Sequence, residues 1–115
     1  MNFKDKYSLK DRLEESEKIT QKYPDRIPII CERNYRIRDI PDIDKNKYLV
    51  PQDLTIGQFM YVIRKRLNLD PSKALFIYIN NIIPSTNQII KDIYFFHKSI
   101  DGFLYITYSS ESSFG

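Results

Sequence analysis

One amphipathic helix stands between two pairs of strand-like segments, and that order leaves the chain few ways to bury its apolar residues. Thr55 followed by Gln58 forms a capping box at the helix start, where both side chains accept from otherwise unpaired backbone amides. Behind it Ile56, Phe59, Met60, Ile63 and Leu67 recur on one helical face. Upstream, residues 27–33 and 47–51 read as strands joined by a charged stretch over 34–46, a hairpin with a long loop. Downstream, residues 74–79 and 103–108 read as strands, the first turned by Asn80-Asn81 and the second entered through Asp101-Gly102. Ile89, Ile90, Ile93 and Tyr94 predict a short helix between them. If the long helix crosses one face of the sheet in the right-handed sense, the last strand arrives beside the first in parallel. The expectation is an α+β chain with a β-grasp topology and a four-stranded mixed sheet.

Ahead of this core, Ser8 and Asp11 form a capping pattern. Leu9, Leu13, Ser16, Ile19 and Tyr23 follow at helical spacing, which predicts a helix over 9–22. Tyr23-Pro24 ends it, because the residue before proline is pushed out of the helical region. A shorter turn is expected over 3–7. The 115 residues, 42% of them apolar or aromatic, suffice for one domain and are too few for two. Its expected parts are a helical extension (1–24), the β-grasp core (25–108) and a polar flexible tail (109–115). No apolar run approaches the roughly 20 residues that span a bilayer, and Met1-Asn2-Phe3-Lys4-Asp5 opens no signal-peptide pattern, so the expected origin is cytosolic.

Little in the composition favours catalysis. Cys31 is the only cysteine, which excludes an internal disulfide and a cysteine cluster for zinc; its alternation with Ile27 and Ile29 reads as a buried structural thiol, with a nucleophile as the alternative. His97 is the only histidine, and with three glycines in all there is no phosphate-binding loop. No metal, no cofactor and no catalytic residue is expected. Eighteen basic residues against fifteen acidic ones give +3, short of the excess of a dedicated nucleic-acid binder, so nucleic acid is not an expected partner. Arg64-Lys65-Arg66 reads as a solvated helix end that suits the helix dipole, with a nucleic-acid patch as the alternative.

Six blocks of residues then carry a resemblance. They are Lys22-Tyr23-Pro24-Asp25-Arg26-Ile27-Pro28, Lys47-Tyr48-Leu49-Val50-Pro51, Leu54-Thr55-Ile56-Gly57-Gln58-Phe59, Asn80-Asn81-Ile82-Ile83-Pro84, Gly102-Phe103-Leu104-Tyr105 and Phe114-Gly115. Together, in order and over essentially the whole chain, they resemble the autophagy-related protein eight family, the GABARAP-like ubiquitin-like modifiers. The resemblance implies a ubiquitin-like β-grasp domain with two additional N-terminal helices. It implies conjugation through Gly115 to the amine of phosphatidylethanolamine on a forming autophagosome, by way of activating and conjugating enzymes. A cysteine protease recognising the Phe114-Gly115 end is implied for processing or delipidation. The protein is then cytoplasmic when free and on the autophagosome membrane when lipidated, and does no catalysis itself. A glycine at the reactive end presents its carboxylate without a side chain.

The resemblance further implies an adaptor that binds aromatic-x-x-Leu/Ile/Val motifs of cargo receptors and autophagy machinery. Physically this is β-augmentation: an extended peptide borrows the unpaired edge of the strand at 47–50 and drops alternate side chains into two pockets. Carried over residue by residue, the aromatic pocket comprises Glu15, Ile19, Pro28, Ile30, Lys47, Leu49 and Phe103. The aliphatic pocket comprises Tyr48, Val50, Pro51, Leu54, Phe59, Val62 and Ile63. Arg26, Lys45, Lys47 and Arg66 are expected to attract acidic or phosphorylated residues flanking the motif. Tyr48 and Leu49, as strand neighbours, cannot both face one core.

Three features depart from the family pattern. The loop over 34–44 is unlike the usual one. Phe95, Phe96 and Ile100 stand where acidic and polar residues are usual, which suggests an extra partner surface or denser packing; burial of all three would end the first idea. Met1, Phe3 and Tyr7 read either as contacts to membrane or partners or as a packed first helix. The alternatives in function are a peptide-binding scaffold that works without lipidation, including an organelle-maintenance role, a small RNA-binding domain, and a thiol enzyme centred on Cys31.

Overall fold

Residues 2–112 are described by a computed structural model, and side-chain caps set the starts of its first three helices. Asn2 accepts from the Asp5 amide at 2.8 Å and opens α1 (Phe3–Lys6). Ser8 accepts from the Asp11 amide at 3.1 Å and opens α2 (Leu9–Lys22). After β1 (Arg26–Arg33) and β2 (Lys47–Pro51), both arms of the capping box start α3 (Ile56–Leu67), which Asn68 ends in the left-handed conformation at φ 53°. Then follow β3 (Phe76–Tyr78), α4 (Ile90–His97) and β4 (Leu104–Ser109).

The sheet order is β2-β1-β4-β3, with β1 and β4 parallel at the centre and both outer pairs antiparallel. This is the ubiquitin-like β-grasp arrangement expected from the element order, with two helices ahead of it. Three elements differ from expectation by more than a single residue at one end. The third strand keeps only Phe76–Tyr78, because Ile79 already pairs back to Ile82 through a tight turn in which Asn80 and Asn81 both have positive φ. The short helix begins after Ile89 and continues through Phe95 and Phe96 to His97. The last strand starts after Phe103 and runs to Ser109, which is buried, so Ser109 belongs to the core and not to the polar tail. Ser110 and Glu111 are tied as well: Ser110 donates to Asp39, and the Tyr78 hydroxyl donates to the Glu111 carbonyl at 2.7 Å. Ser113, Phe114 and Gly115 lie outside the described residues.

Both faces of the sheet are covered, so β1 is buried almost continuously and does not alternate. Ile27, Ile29 and Cys31 face α3 and α4, with Tyr48, Val50, Leu104, Ile106 and Tyr108 in the same core. The opposite face of β1 presents Ile30, which packs with Phe3 of α1, Ile19 of α2, Phe103 and Tyr105. Pro28 is tolerated in this central strand for a specific reason. The Cys31 amide donates to Asn46 on the β2 side, so alternation aims position 28 toward β4, whose pairing begins only at Ile29. The long loop over 34–46 is pinned by buried Ile40, by Arg33 donating to Asp42 at 2.7 Å, and by the Tyr108 hydroxyl donating to the Pro41 carbonyl at 2.7 Å.

The helical extension is locked to the core by one buried carboxylate. Asp101, fully buried, accepts from Arg12 at 2.7 Å, from the Phe103 amide at 2.9 Å and from the Tyr105 hydroxyl. Burial pushes this carboxyl up, but the hydrogen bonds from Tyr105, Phe103 and Arg12 outweigh it and hold it below the ordinary range. Gly102 beside it has φ +88°, and a Cβ there would fall 2.4 Å from the Ser16 hydroxyl.

Candidate functional site

β2 forms one edge of the sheet, and its register decides what that edge offers. Cys31 bonds to Asn46, so the positions facing Ile29 and Ile27, namely Tyr48 and Val50, also spend their backbone groups on β1. The amides and carbonyls of Lys47 and Leu49 therefore point away from the sheet. The Arg26 guanidinium lies 3.4 Å from the Leu49 carbonyl and shields part of that edge.

Side chains alternate about the same strand. Lys47 and Leu49 lie opposite Ile30 and Pro28 on the face covered by α1 and α2. Of the residues expected in the aromatic pocket, Pro28, Ile30 and Phe103 are buried, while Glu15, Ile19, Lys47 and Leu49 are half-buried. Lys47 donates to Glu15, and its ammonium lies 5.7 Å from the centre of the Phe3 ring. Phe3 itself is buried, with its ring edge-on to Phe103 at 5.3 Å and its amide donating to Glu32 at 2.7 Å. Sequence reasoning did not place it with Ile30 and Phe103. A phenylalanine one position after a helix cap is the only local signal, and nothing in it names Phe103 as the partner. The packed-first-helix reading of Phe3 thus applies; Tyr7 stays half exposed against it, and Met1 lies outside the described residues.

On the other face Tyr48, Val50, Phe59 and Ile63 are buried, with Tyr48 edge-on to Phe59 at 5.7 Å. Pro51 and Val62 are exposed and Leu54 is half-buried, so these three form the reachable part of the expected aliphatic pocket. Leu54 and Val62 also line a cleft of about 600 Å³ that Tyr61, Thr86 and Asn87 extend. Leu49 and Tyr48 divide as strand neighbours must, and Leu49 is the one left partly open. The Tyr48 hydroxyl is buried with no hydrogen-bond partner among the described residues, and burial pushes its pKa up. Tyr48→Phe is therefore expected to leave stability unchanged or raise it by about 1 kcal/mol, read as melting temperature. A clear fall would show that the hydroxyl is answered in solution.

The four flanking cations differ in availability. Arg66 is spoken for by Asp44, at 2.8 and 3.3 Å, and Lys47 by Glu15. Arg26 and Lys45 have no carboxylate partner among the described residues; Lys45 lies over the Tyr48 ring at 5.2 Å. The rest of the basic run is also engaged locally. Arg64 donates to the Lys73 carbonyl at 2.9 Å and Lys65 stacks on Tyr61 at 5.1 Å, as a capped helix end would have it.

Cys31 is fully buried, and burial pushes its thiol far up, so it presents no thiolate to a substrate. His97 hydrogen-bonds through Nδ1 to Asn80 at 3.0 Å. Among the described residues no group of His, Cys, Asp or Glu is placed to hold a metal ion, and no helix is long and apolar enough to cross a membrane. Phe95, Phe96 and Ile100 are exposed, so the surface reading of these residues survives.

Comparison with known proteins agrees with this geometry. Residues 11–115 match the family model described as Autophagy protein Atg8 ubiquitin like. Autophagy-related protein 8 of Schizosaccharomyces pombe is 59% identical over 113 residues, covering 98% of this chain and 93% of its own. The Mycosarcoma maydis protein of the same name is 57% identical, covering 98% and 95%. Among solved structures, Trypanosoma brucei ATG8 superposes with a TM-score of 0.90 at 43% identity, over 100% of this chain and 98% of that one. Plasmodium falciparum Atg8 in complex with a Plasmodium falciparum Atg3 peptide superposes with a TM-score of 0.90 at 37% identity, over 98% of both chains.

Proposed function

Because this chain belongs to the Atg8 family of ubiquitin-like autophagy proteins, we propose that it is a modifier joined through Gly115 to phosphatidylethanolamine and serving as a membrane-bound autophagy adaptor. The observation that carries the adaptor half is the β2 edge. Lys47 and Leu49 offer outward backbone groups, with half-buried Ile19 and Leu49 on the α2 side and the cleft lined by Leu54 and Val62 beside α3, so an extended peptide would gain backbone pairing and side-chain seats in one geometry. An aromatic residue fits the cleft rimmed by Ile19 and Leu49, and an aliphatic one the cleft at Pro51, Leu54 and Val62. Arg26 and Lys45 remain available for acidic flanking residues, while Lys47 and Arg66 must first exchange a carboxylate already bound.

The partners that follow are activating and conjugating enzymes, a cysteine protease acting at Phe114-Gly115, and receptors bearing aromatic-x-x-Leu/Ile/Val motifs. The Atg3 peptide bound to the Plasmodium falciparum relative supports a peptide of the conjugation machinery as one of them. In this role the chain has no catalytic residue, in keeping with its buried Cys31, and it divides between cytoplasm and autophagosome membrane.

The test is reconstituted conjugation with activating and conjugating enzymes, ATP and liposomes containing phosphatidylethanolamine, with intact mass read before and after. A lipid-sized gain is expected for the full chain and none for a chain lacking Gly115. No gain, with the same enzymes active on another family member, would overturn the lipidation half and leave a peptide-binding scaffold.

A further inference from the structure

The cleft beside α3 is larger than the aliphatic seat requires. Leu54 and Val62 wall one side of it, and Tyr61, Thr86 and Asn87, which lie outside both expected pockets, carry it on to a volume of about 600 Å³. One aliphatic side chain leaves most of that space unfilled. Gly57 lines it where the helix meets the 84–88 loop so closely that the Gly57 amide donates to the Thr86 carbonyl at 2.8 Å, and a Cβ there would stand 3.2 Å from that oxygen. One turn further on, Tyr61 is 59% exposed. The side-chain oxygens around the cleft are already answered: Thr55 and Gln58 accept within the capping box, and Asn87 accepts from Ser85. What the cleft still offers a ligand is apolar, namely Leu54, Val62 and the Tyr61 ring.

Strand geometry says which part of a peptide on the β2 edge reaches it. The two anchors of an aromatic-x-x-Leu motif are three residues apart, an odd spacing that sends them to opposite faces of a strand, as Leu49 and Val50 are sent in β2. The aromatic anchor comes first and seats by Lys47 and Leu49, the aliphatic one by Pro51, Leu54 and Val62. The peptide therefore runs parallel to β2, and its continuation leaves past Pro51 toward α3. Alternation returns the second residue after the aliphatic anchor to the α3 face, about 6.6 Å farther along. We infer that Tyr61, Thr86 and Asn87 form a third seat, an inference that rests on the β2-edge reading above. The seat takes an apolar side chain at that second position, and so selects aromatic-x-x-Leu-x-Leu peptides over those with a polar residue there.

Titration calorimetry of the full chain tests this with peptides of one sequence that differ only at that position, which is Leu, Ser or Glu. The Leu peptide is expected to bind about fivefold to tenfold more tightly than the Ser peptide, as burial of part of one aliphatic side chain would give. Tyr61→Ala is expected to bring the two within about twofold. It should leave the Ser peptide's affinity and the melting temperature unchanged, because Tyr61 is exposed and touches neither anchor's seat across β2. Equal binding of the Leu and Ser peptides to the wild type overturns the inference and leaves the edge reading standing, as does a Leu preference that survives Tyr61→Ala. A Glu peptide as tight as the Leu one overturns it too, since Lys65, stacked on Tyr61, would then be supplying charge. If none of the three peptides binds, the edge reading itself falls, and the third seat with it.

Discussion

Asp101→Ala is expected to remove about 3–5 kcal/mol of folding stability, the cost of deleting one partner of a buried ion pair. The side chain is fully buried and answers three donors, the Arg12 guanidinium at 2.7 Å, the Phe103 amide at 2.9 Å and the Tyr105 hydroxyl. Alanine removes the acceptor from all three, leaving Arg12 only the Tyr7 carbonyl at 3.1 Å, and α2 loses its side-chain tie to the start of β4. For a domain of this size the change corresponds to a fall in Tm of roughly 10–20 °C. The acid dependence has a definite sign. The folded carboxyl lies below its ordinary range, so its contribution is complete above the unfolded value of about 3.9 and is lost as pH falls through the lower folded one. The lead of the wild type over Asp101→Asn should accordingly be constant near neutrality and shrink only in acid. Equal melting temperatures at pH 7 would show that the carboxylate does not anchor the helical extension.

Blocking the β2 edge is expected to cost the largest share of motif binding. Lys47→Pro deletes an amide that points away from β1, so the sheet loses no ladder bond while an incoming strand loses a donor. An aromatic-x-x-Leu peptide should bind about tenfold to hundredfold more weakly, the worth of one or two backbone hydrogen bonds. Lys47→Ala keeps the amide and should cost less. Leu49→Ala should also weaken binding, through the cleft rimmed by Ile19, while leaving the fold intact because Leu49 is only half-buried. Titration calorimetry of the three variants separates backbone from side chain. If Lys47→Pro and Lys47→Ala bind alike, the peptide does not pair with this edge, and unchanged affinity in Leu49→Ala and Lys47→Ala would remove the pocket assignment.

Both expectations depend on how much of the molecule could be read before folding it. The helices α2 and α3 were legible to within a residue, because Ser8, Thr55 and Gln58 act on amides three positions away and the apolar period repeats within one turn or two. The strand order followed from element order alone. The expected pocket membership came through resemblance; burial was not legible: Ile30 and Phe103 are buried, Leu49 and Ile19 are half-buried, and Phe3 packs on the buried pair from a helix of four residues. Ile89, read as helical, is instead extended and bridges Thr55, a partner far along the chain, so α4 begins only at Ile90.

The sequence by itself determined the secondary elements, their order, the single buried thiol and the resemblance to a family, all of which rest on signals confined to neighbouring residues or to ordered blocks. Only the tertiary structure decided that Arg12 meets Asp101 across 89 positions, that Arg66 and Lys47 are already paired, and that Phe95, Phe96 and Ile100 face water. Contacts between distant residues leave no local pattern, because they arise from the shared burial of many side chains at once. A polar or apolar letter says what a residue can do; the packed sheet and its helices decide which of its neighbours remain to do it with.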